Sequence, residues 1–472
     1  MKKNIIICIM MLVSICFGCS DWLSLEPSDR ISEKNNYSEI TGFKKALNGI
    51  YIELNRSNLY GRSLSCEFIE ILAQRYNIDE DSKTNKELML FNYGGAGVKG
   101  RISSIWESAY SLIANINTLL KNCEEHKKAI SEEYYNIIKG EALGLRALLH
   151  FDLFRLFGPL YDANSKTKTI PYYKSFNFNV AESVTSSEYM NNVITDLLEA
   201  DKLLRNDPII KKGVSGDFKD IFLQYRNLRL NSYGVKSILS RAYLYIGDTE
   251  KSYEFAKSVI DIQAEKFPWV IPMKLTGGKD MDRIFHTEII FATQNLDRHE
   301  LFTRLFDGQN LKPQTLLAPK EGVTNKVFEH IKTDYRYVSS LNNSMEIQGV
   351  QYKIFNKYQG KDSLFNQMIP LIRVSELYLI AAETAPTNEE KLTYFNTLRN
   401  NRGLTSVKKI RDVQKGIPKE WVKEFYGEGQ LFFYYKRTKT DKIQSATSEY
   451  GTVQMDLRNY VLPIPEGEVK YN

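Results

Sequence analysis

"NSYGVKSILSRAYLYIGDTEKSYEFAKSVIDIQ", residues 231–263, is two helices and a turn in one line. Leu239, Ser240 and Tyr243 place a large apolar residue, a small one and an aromatic ring at helical spacing. Gly247-Asp248 interrupts the pattern, and Ser252 puts a second small residue on the stretch that follows. This is much of the spacing of a tetratricopeptide unit, in which small residues let two antiparallel helices approach closely. Such a pair cannot bury its apolar face alone, so it predicts further helix pairs stacked against it. "PLIRVSELYLIAAETAPTNEEKLTYFNTLRNNRGL", residues 370–404, has the same plan of helix, turn around Pro386 and helix.

Upstream, the spacing again predicts helices. "ITGFKKALNGIYIELN", residues 40–55, has Phe43, Ala46, Leu47, Ile50 and Tyr51 on one face. "SSIWESAYSLIANINTLLKNCEEH", residues 103–126, aligns Ile105, Ala109, Leu112, Ile116 and Leu119/Leu120, with Ser103 or Ser104 as N-cap. "SEEYYNIIKGEALGLRALLHFDLFRLFG", residues 131–158, reads as a long helix divided near Gly140. The units are unevenly spaced, which predicts an interrupted array. Between them run long irregular segments, 74–104, 157–190, 205–230, 265–320 and 335–369, and loops of this length are usually kept for a function.

The totals narrow the function classes. The 472 residues are 43% hydrophobic and 25% charged, a globular balance. A net charge of +6 without a long Lys/Arg block gives no nucleic-acid signal. Tyr and Phe are abundant, 29 and 24, and Tyr rings offer flat apolar faces with a polar tip, suited to wet ligands such as sugars.

The first residues, "MKKNIIICIMMLVSICFGCS", combine basic Lys2 and Lys3 with an apolar run from Ile5 to Phe17 and then Gly18-Cys19. The run is too short for an ordinary membrane span and typical of a secretory leader. A small residue before Cys19 is similar to a bacterial lipobox, so residues 1–18 are expected to be removed and Cys19 to carry lipid. Without Lys2 and Lys3 the mature chain carries +4. Cys66 and Cys123 are left either to pair or to stay as two buried thiols.

Catalytic signatures are sparse. The five His residues show no i, i+4 pair, no C-x-x-C lies beyond Cys19, and no metal site or cofactor is expected. G-x-S-x-G and the Walker motif are absent. "FNYGGAGVKG", residues 91–100, does match G-x-G-x-x-G through Gly95, Gly97 and Gly100. A dinucleotide turn needs a second parallel strand downstream, but helix follows helix here, and an exported chain is away from the NAD pool. The stretch is therefore read as a flexible loop exposing Tyr93. A glycoside hydrolase needs two carboxylates facing across a cleft, which sequence does not display.

Landmarks in order along the chain resemble the SusD/RagB family of Bacteroidetes outer-membrane lipoproteins. They are Cys19 with Asp21, Leu23 and Pro27; "ALNGIY" at 46–51; and Trp106, Tyr110, Ile113 and Asn117 of a W-x-x-x-Y-x-x-I-x-x-x-N segment. "GEALGLRALLHFDLFRLFGPL", "LIRVSELYLIAAE", "FNTLRNNRGL" and the terminal "VLPIPEGEVKYN" follow, with Asn401 where the pattern has Arg. "EFYGEGQLFFYYKR" keeps Glu424, Glu428-Gly429 and Arg437 but lacks the usual E-R before it and D-L near its end.

The resemblance implies a mostly α SusD-like fold: tetratricopeptide-like helix pairs as scaffold, with a loop-rich ligand-capturing lobe. It implies residues 19–230 and 231–472 packed as one unit. It implies a lipid-anchored, surface-exposed outer-membrane protein that binds oligosaccharide or polysaccharide, catalyses nothing, and serves a TonB-dependent, SusC-like transporter. A peptide-capturing member, a glycoside hydrolase and a protein–protein scaffold are the alternatives. The family supplies no common contact residues. Tyr76 in "AQRYNID", Tyr93 in "FNYGGAG" and Trp269 in "KFPWVIP" are the ligand candidates, chosen as Trp or Tyr rings in irregular segments.

Overall fold

A computed structural model describes residues 37–469, apart from 177–180, 217–218, 278–280 and 362. The leader and Cys19 lie outside the described residues. The long helices are α1 (Ile40–Leu54), α2 (Ala96–Glu125), α3 (Glu132–Phe157), α4 (Ser186–Leu203), α5 (Ser232–Ile246), α6 (Thr249–Ile260), α7 (Val374–Thr384), α8 (Asn388–Asn400), α9 (Ile410–Glu424) and α10 (Leu431–Arg437). Among the described residues the strands form four two-stranded antiparallel sheets. They are β1 (Lys168–Pro171) with β2 (Ser183–Thr185), β3 (Ile289–Gln294) with β6 (Met368–Arg373), β4 (Ser344–Ile347) with β5 (Val350–Lys353), and β7 (Lys442–Gln444) with β8 (Thr452–Gln454).

Each helix from α1 to α9 packs on the next, in a chain of neighbours that crosses every long loop. The expected pair is present as α5 and α6. Gly247, at φ +87, makes the left-handed turn between them, a conformation that costs glycine little. Asn231 caps α5 by accepting from the N–H groups of Tyr233 and Gly234, and its own Nδ2 donates to the Ile290 carbonyl of β3. Helix α6 lies on α7, so the two pairs recognised in the sequence stack on one another. Capping boxes start α4 (Thr185 with Glu188) and α8 (Thr387 with Glu390).

Three local expectations are corrected, and the open question of the cysteines is settled. Helix α3 runs unbroken through Gly140, because a Cβ there would lie 2.7 Å from Leu204 Cγ; the glycine admits a neighbour and does not end the helix. Helix α2 begins at Ala96, so Gly97 and Gly100 of the suspected loop are helical. Gly97 lets the short helix Lys83–Met89 approach, since a Cβ there would collide with Thr84 Oγ1. Residues 370–373 belong to β6, which runs straight into α7. Cys66 and Cys123 are separate buried thiols, and burial pushes Cys123 up to about 12.

The core contains much buried charge. Glu424 accepts from Arg373 Nη1 (2.6 Å) and Arg402 Nη2 (2.7 Å), and its second oxygen accepts from Arg336 (3.0 Å). Burial opposes ionisation of Glu424, but Arg402 and Arg373 overcome it and hold the carboxyl well below its usual range. Residues of the motifs "LIRVSE", "NNRGL" and "EFYGEG" therefore meet in one buried network.

Candidate functional site

Three of the irregular segments close around one cavity of about 320 Å³. Every residue lining it comes from 214–227, 266–289 or 364–368, within the segments 205–230, 265–320 and 335–369. The scaffold helices hold this cavity and contribute nothing to its walls.

Two turns that contribute to the cavity wall are built alike. Tyr225 (φ 48, ψ 53) precedes the 3₁₀ turn Arg226–Leu228, and Phe285 (φ 57, ψ 54) precedes the 3₁₀ turn His286–Glu288. Bulky residues seldom occupy the left-handed region, and each costs about 1–3 kcal/mol, a strain that persists only where the surroundings impose it. Buried ion pairs impose it here. Arg226 donates from Nε and Nη2 to Asp207 (3.0 and 2.8 Å) and from Nη1 to Glu141 (2.5 Å). Glu288 accepts from Arg402 Nη1 (3.0 Å) and Nη2 (2.6 Å). Each turn is thus tied by a fork-shaped pair to the helical scaffold.

The groups facing the cavity are rings and hydrogen-bonding atoms. Tyr225 is 41% exposed. The His286 ring lies parallel to Phe365, with centroids 4.7 Å apart and planes at 19°. His286 Nδ1 donates to Asp282 Oδ2 (2.8 Å), which leaves Nε2 as the ring nitrogen free for another partner. Asp282 also accepts from the backbone N–H groups of Ile284 and His286, so the imidazole is fixed from two sides. Asn227 is 5% exposed, lines the cavity, and its Oδ1 has no hydrogen-bond partner among the described residues. Buried polar atoms are almost always paired, so this oxygen is an acceptor left unmatched. Apolar rings beside an unmatched acceptor suit a ligand with hydroxyl groups on a flat apolar frame.

The residues singled out from sequence fall elsewhere. Tyr76 is corrected: it is fully buried, its hydroxyl donates to the Cys66 carbonyl (2.9 Å), and its ring sits among Phe306, Phe355 and Tyr426. Tyr93 is half-buried, and its hydroxyl donates to the Asn459 carbonyl (2.5 Å), pinning the C-terminal segment. Trp269 is half-buried against Tyr378 (4.9 Å) and beneath the Arg402 guanidinium (5.2 Å); its neighbour Pro268 reaches the cavity wall. Tyr225, Asn227, His286 and Phe365 went unnoticed. Tyr225 alone met the test of ring type and irregular segment.

Two other cavities differ in kind. The larger, about 470 Å³, is lined by charged, amide and aliphatic side chains and no aromatic ring. The second, about 340 Å³, joins Trp106, Tyr110 and Asn117 of α2 to Tyr173, Phe176 and Glu468. It is made from the motifs that carry the family resemblance, and Asn117 is fully bonded, to Arg146 and the Tyr173 carbonyl.

Comparison with known proteins accords with this layout. A family profile described as "Starch-binding associating with outer membrane" matches residues 21–213, and the "SusD family" profile matches residues 280–472. The chain belongs to the SusD/RagB family. SusD-like protein P25 of Formosa agariphila is 29% identical over 168 residues, a match spanning 34% of this chain and 31% of that protein. A SusD superfamily protein from Bacteroides thetaiotaomicron superposes with a TM-score of 0.71 at 21% identity, covering 92% of this SusD-family chain and 98% of the other. A putative sugar binding protein from Bacteroides vulgatus gives 0.71 at 23%, covering 92% and 97%. A structure described as a laminarin binding SusD-like protein gives 0.64 at 16%, covering 92% and 98%. At these identities the structures establish the fold, which is the mostly α SusD-like one. Among the described residues no helix is long and apolar enough to cross a membrane.

Proposed function

We propose that this SusD-family protein binds an oligosaccharide or polysaccharide in the cavity between Tyr225 and Phe365 and passes it, unchanged, to a TonB-dependent outer-membrane transporter. One observation carries the reading: an unpartnered buried acceptor, Asn227 Oδ1, lies beside aromatic rings in a cavity walled only by inter-helix segments. The named binding partners of similar proteins, starch in one family description and laminarin in one structural relative, point to the same ligand class. A lipid on Cys19 would hold the protein at the outer membrane, with residues 19–230 and 231–472 acting as one body. Tyr93 and Trp269 then serve as supports of the loops, one at the C-terminal segment and one behind the cavity wall.

Binding of the mature protein to a panel of polysaccharides and peptides tests this. Retention by at least one glycan, lost in Tyr225→Ala, is expected. Retention by peptides alone would move the assignment to a peptide-capturing member. Release of shortened product without added enzyme would refute a purely binding role.

A further inference from the structure

The buried arginines of this protein follow a rule with one exception. Every other buried arginine among the described residues has a carboxylate within 4 Å. Arg298, 1% exposed, has none. Its Nη1 donates to the Met368 carbonyl (3.1 Å), its Nη2 to Asn366 Oδ1 (3.0 Å), and its Nε has no partner. Burial pushes Arg298 down to about 10, and the positive charge of Arg283 lowers it further against the pull of Tyr358 and Asp282.

Arg283 also lacks a carboxylate. It is half-buried, its one hydrogen bond is a long contact from Nη1 to the Met281 carbonyl (3.5 Å), and its Nε is unpartnered. Both arginines stand behind the cavity wall: Arg298 bonds the carbonyl of Met368, which lines it, and Arg283 follows Asp282, the residue that orients the lining His286. A third cation, Lys266, is in the wall itself. Its side chain is 7% exposed, and its ammonium meets Glu265 Oε1 at 2.7 Å on the solvent side, where the Glu265 side chain is 73% exposed. Of the carboxylates described beside this cavity, Asp282 is engaged by His286 and two backbone N–H groups, Glu288 by Arg402, and Glu265 stands at the rim. Among the described residues Arg283 and Arg298 are left without one.

A buried cation without a counter-charge is costly and is retained where something else supplies the charge. The planar fork of a guanidinium matches a carboxylate or a sulfate ester. We propose that the glycan bound by this cavity carries an anionic group, a uronic carboxylate or a sulfate ester, received at the wall by Lys266 in place of Glu265, with the uncompensated charges of Arg283 and Arg298 behind that wall. This rests on the glycan reading above and narrows its ligand to acidic polysaccharides.

The test uses the full mature protein and matched pairs of polymers: polygalacturonate with its carboxyl-reduced form, and a sulfated galactan with its desulfated form, beside neutral laminarin. Isothermal titration at low and at physiological salt is expected to give at least ten-fold tighter binding to the acidic member of one pair, weakening as salt rises. The pair that responds separates carboxylate from sulfate. Arg283→Gln and Lys266→Gln should remove the difference between the acidic and neutral members. Glu265→Gln should strengthen binding to the acidic member, an effect that a structural role for the lysine would not produce. If Arg283→Gln fails to fold, the Lys266 and Glu265 variants decide. Equal or better binding to neutral members would overturn the anionic assignment while the glycan reading stood. Absence of binding to every polymer would overturn both.

Discussion

Ser240 and Ser252 clasp each other across the α5–α6 pair. The Oγ of each donates to the backbone carbonyl of the other, both at 2.9 Å, and both residues are fully buried. The small residues noted in the sequence thus do two jobs: they permit close approach and they bond across it. Ser252→Leu puts a branched side chain into this contact and is expected to lower stability by about 1–3 kcal/mol, with both hydroxyl bonds disturbed. Thermal unfolding followed by circular dichroism measures it; a melting temperature equal to wild type would show that the helices tolerate separation.

Gly140 makes a parallel case for α3. Alanine is the better helix former by about 1 kcal/mol, so a glycine that merely interrupted the helix would gain stability when replaced. Its Cβ would meet Leu204 Cγ at 2.7 Å, and Gly140→Ala is expected to destabilise by about 1–2 kcal/mol net. Gly49 in α1, where a Cβ would meet nothing within 4 Å, is the control, and Gly49→Ala should stabilise by about 1 kcal/mol. Matching shifts for the two variants would contradict the packing role of Gly140.

These residues show what a sequence discloses. Helical periodicity, the turn at Gly247 and the small residues of the pair are local signals, and each survived in the fold. Gly140 and Gly97 carry no local mark separating a helix breaker from a close approach, because the approaching side chains, Leu204 and Thr84, come from other elements. The site was less legible for the same reason. Tyr76 and Tyr225 are both tyrosines in irregular segments; burial among Phe306, Phe355 and Tyr426 separates them, and it is decided by chain far away in sequence. Asn227 has no signature at all until its oxygen is found without a partner.

Tyr225→Gly separates strain from contact. Glycine adopts the left-handed backbone at little cost, so removal of the ring is offset by relief of the backbone, and the melting temperature is expected to hold or rise. Affinity for the glycan that the wild type retains should fall about ten-fold, equivalent to about 1.4 kcal/mol of ring contact. Titration calorimetry and a melt on the same preparation supply both numbers; loss of stability together with affinity would make Tyr225 a structural residue only.

Asn227→Leu is expected to divide the same way. It keeps the bulk of the side chain and removes a buried oxygen that lacks a donor, a group whose desolvation alone costs about 1–3 kcal/mol. The variant should be at least as stable as wild type and bind at least ten-fold more weakly. Binding at wild-type strength would mean that the oxygen does not meet the ligand.

Glu70 gives the fold a pH dependence of unusual sign. Its carboxylate accepts from the N–H groups of Gly427 and Gly429 (both 2.9 Å), with Arg75 at 3.7 Å. Burial outweighs the lowering by Arg75 and these N–H groups and raises Glu70 to about 7. An acid held above its unfolded value binds its proton more tightly when folded. Its contribution to stability is present at low pH and is lost as pH rises from about 4.5 to about 7. His150 works in the opposite direction, because burial lowers it to about 3, and stability it provides near neutrality is lost on acidification below the usual histidine range. The two slopes partly cancel in the whole protein, so the difference between wild type and Glu70→Gln is the readout. Glutamine cannot ionise, and the stability of the variant relative to wild type should rise between about pH 4.5 and 7 in chemical denaturation at each pH. A difference that stays flat across that window would show that Glu70 is already ionised in the folded protein at acid pH.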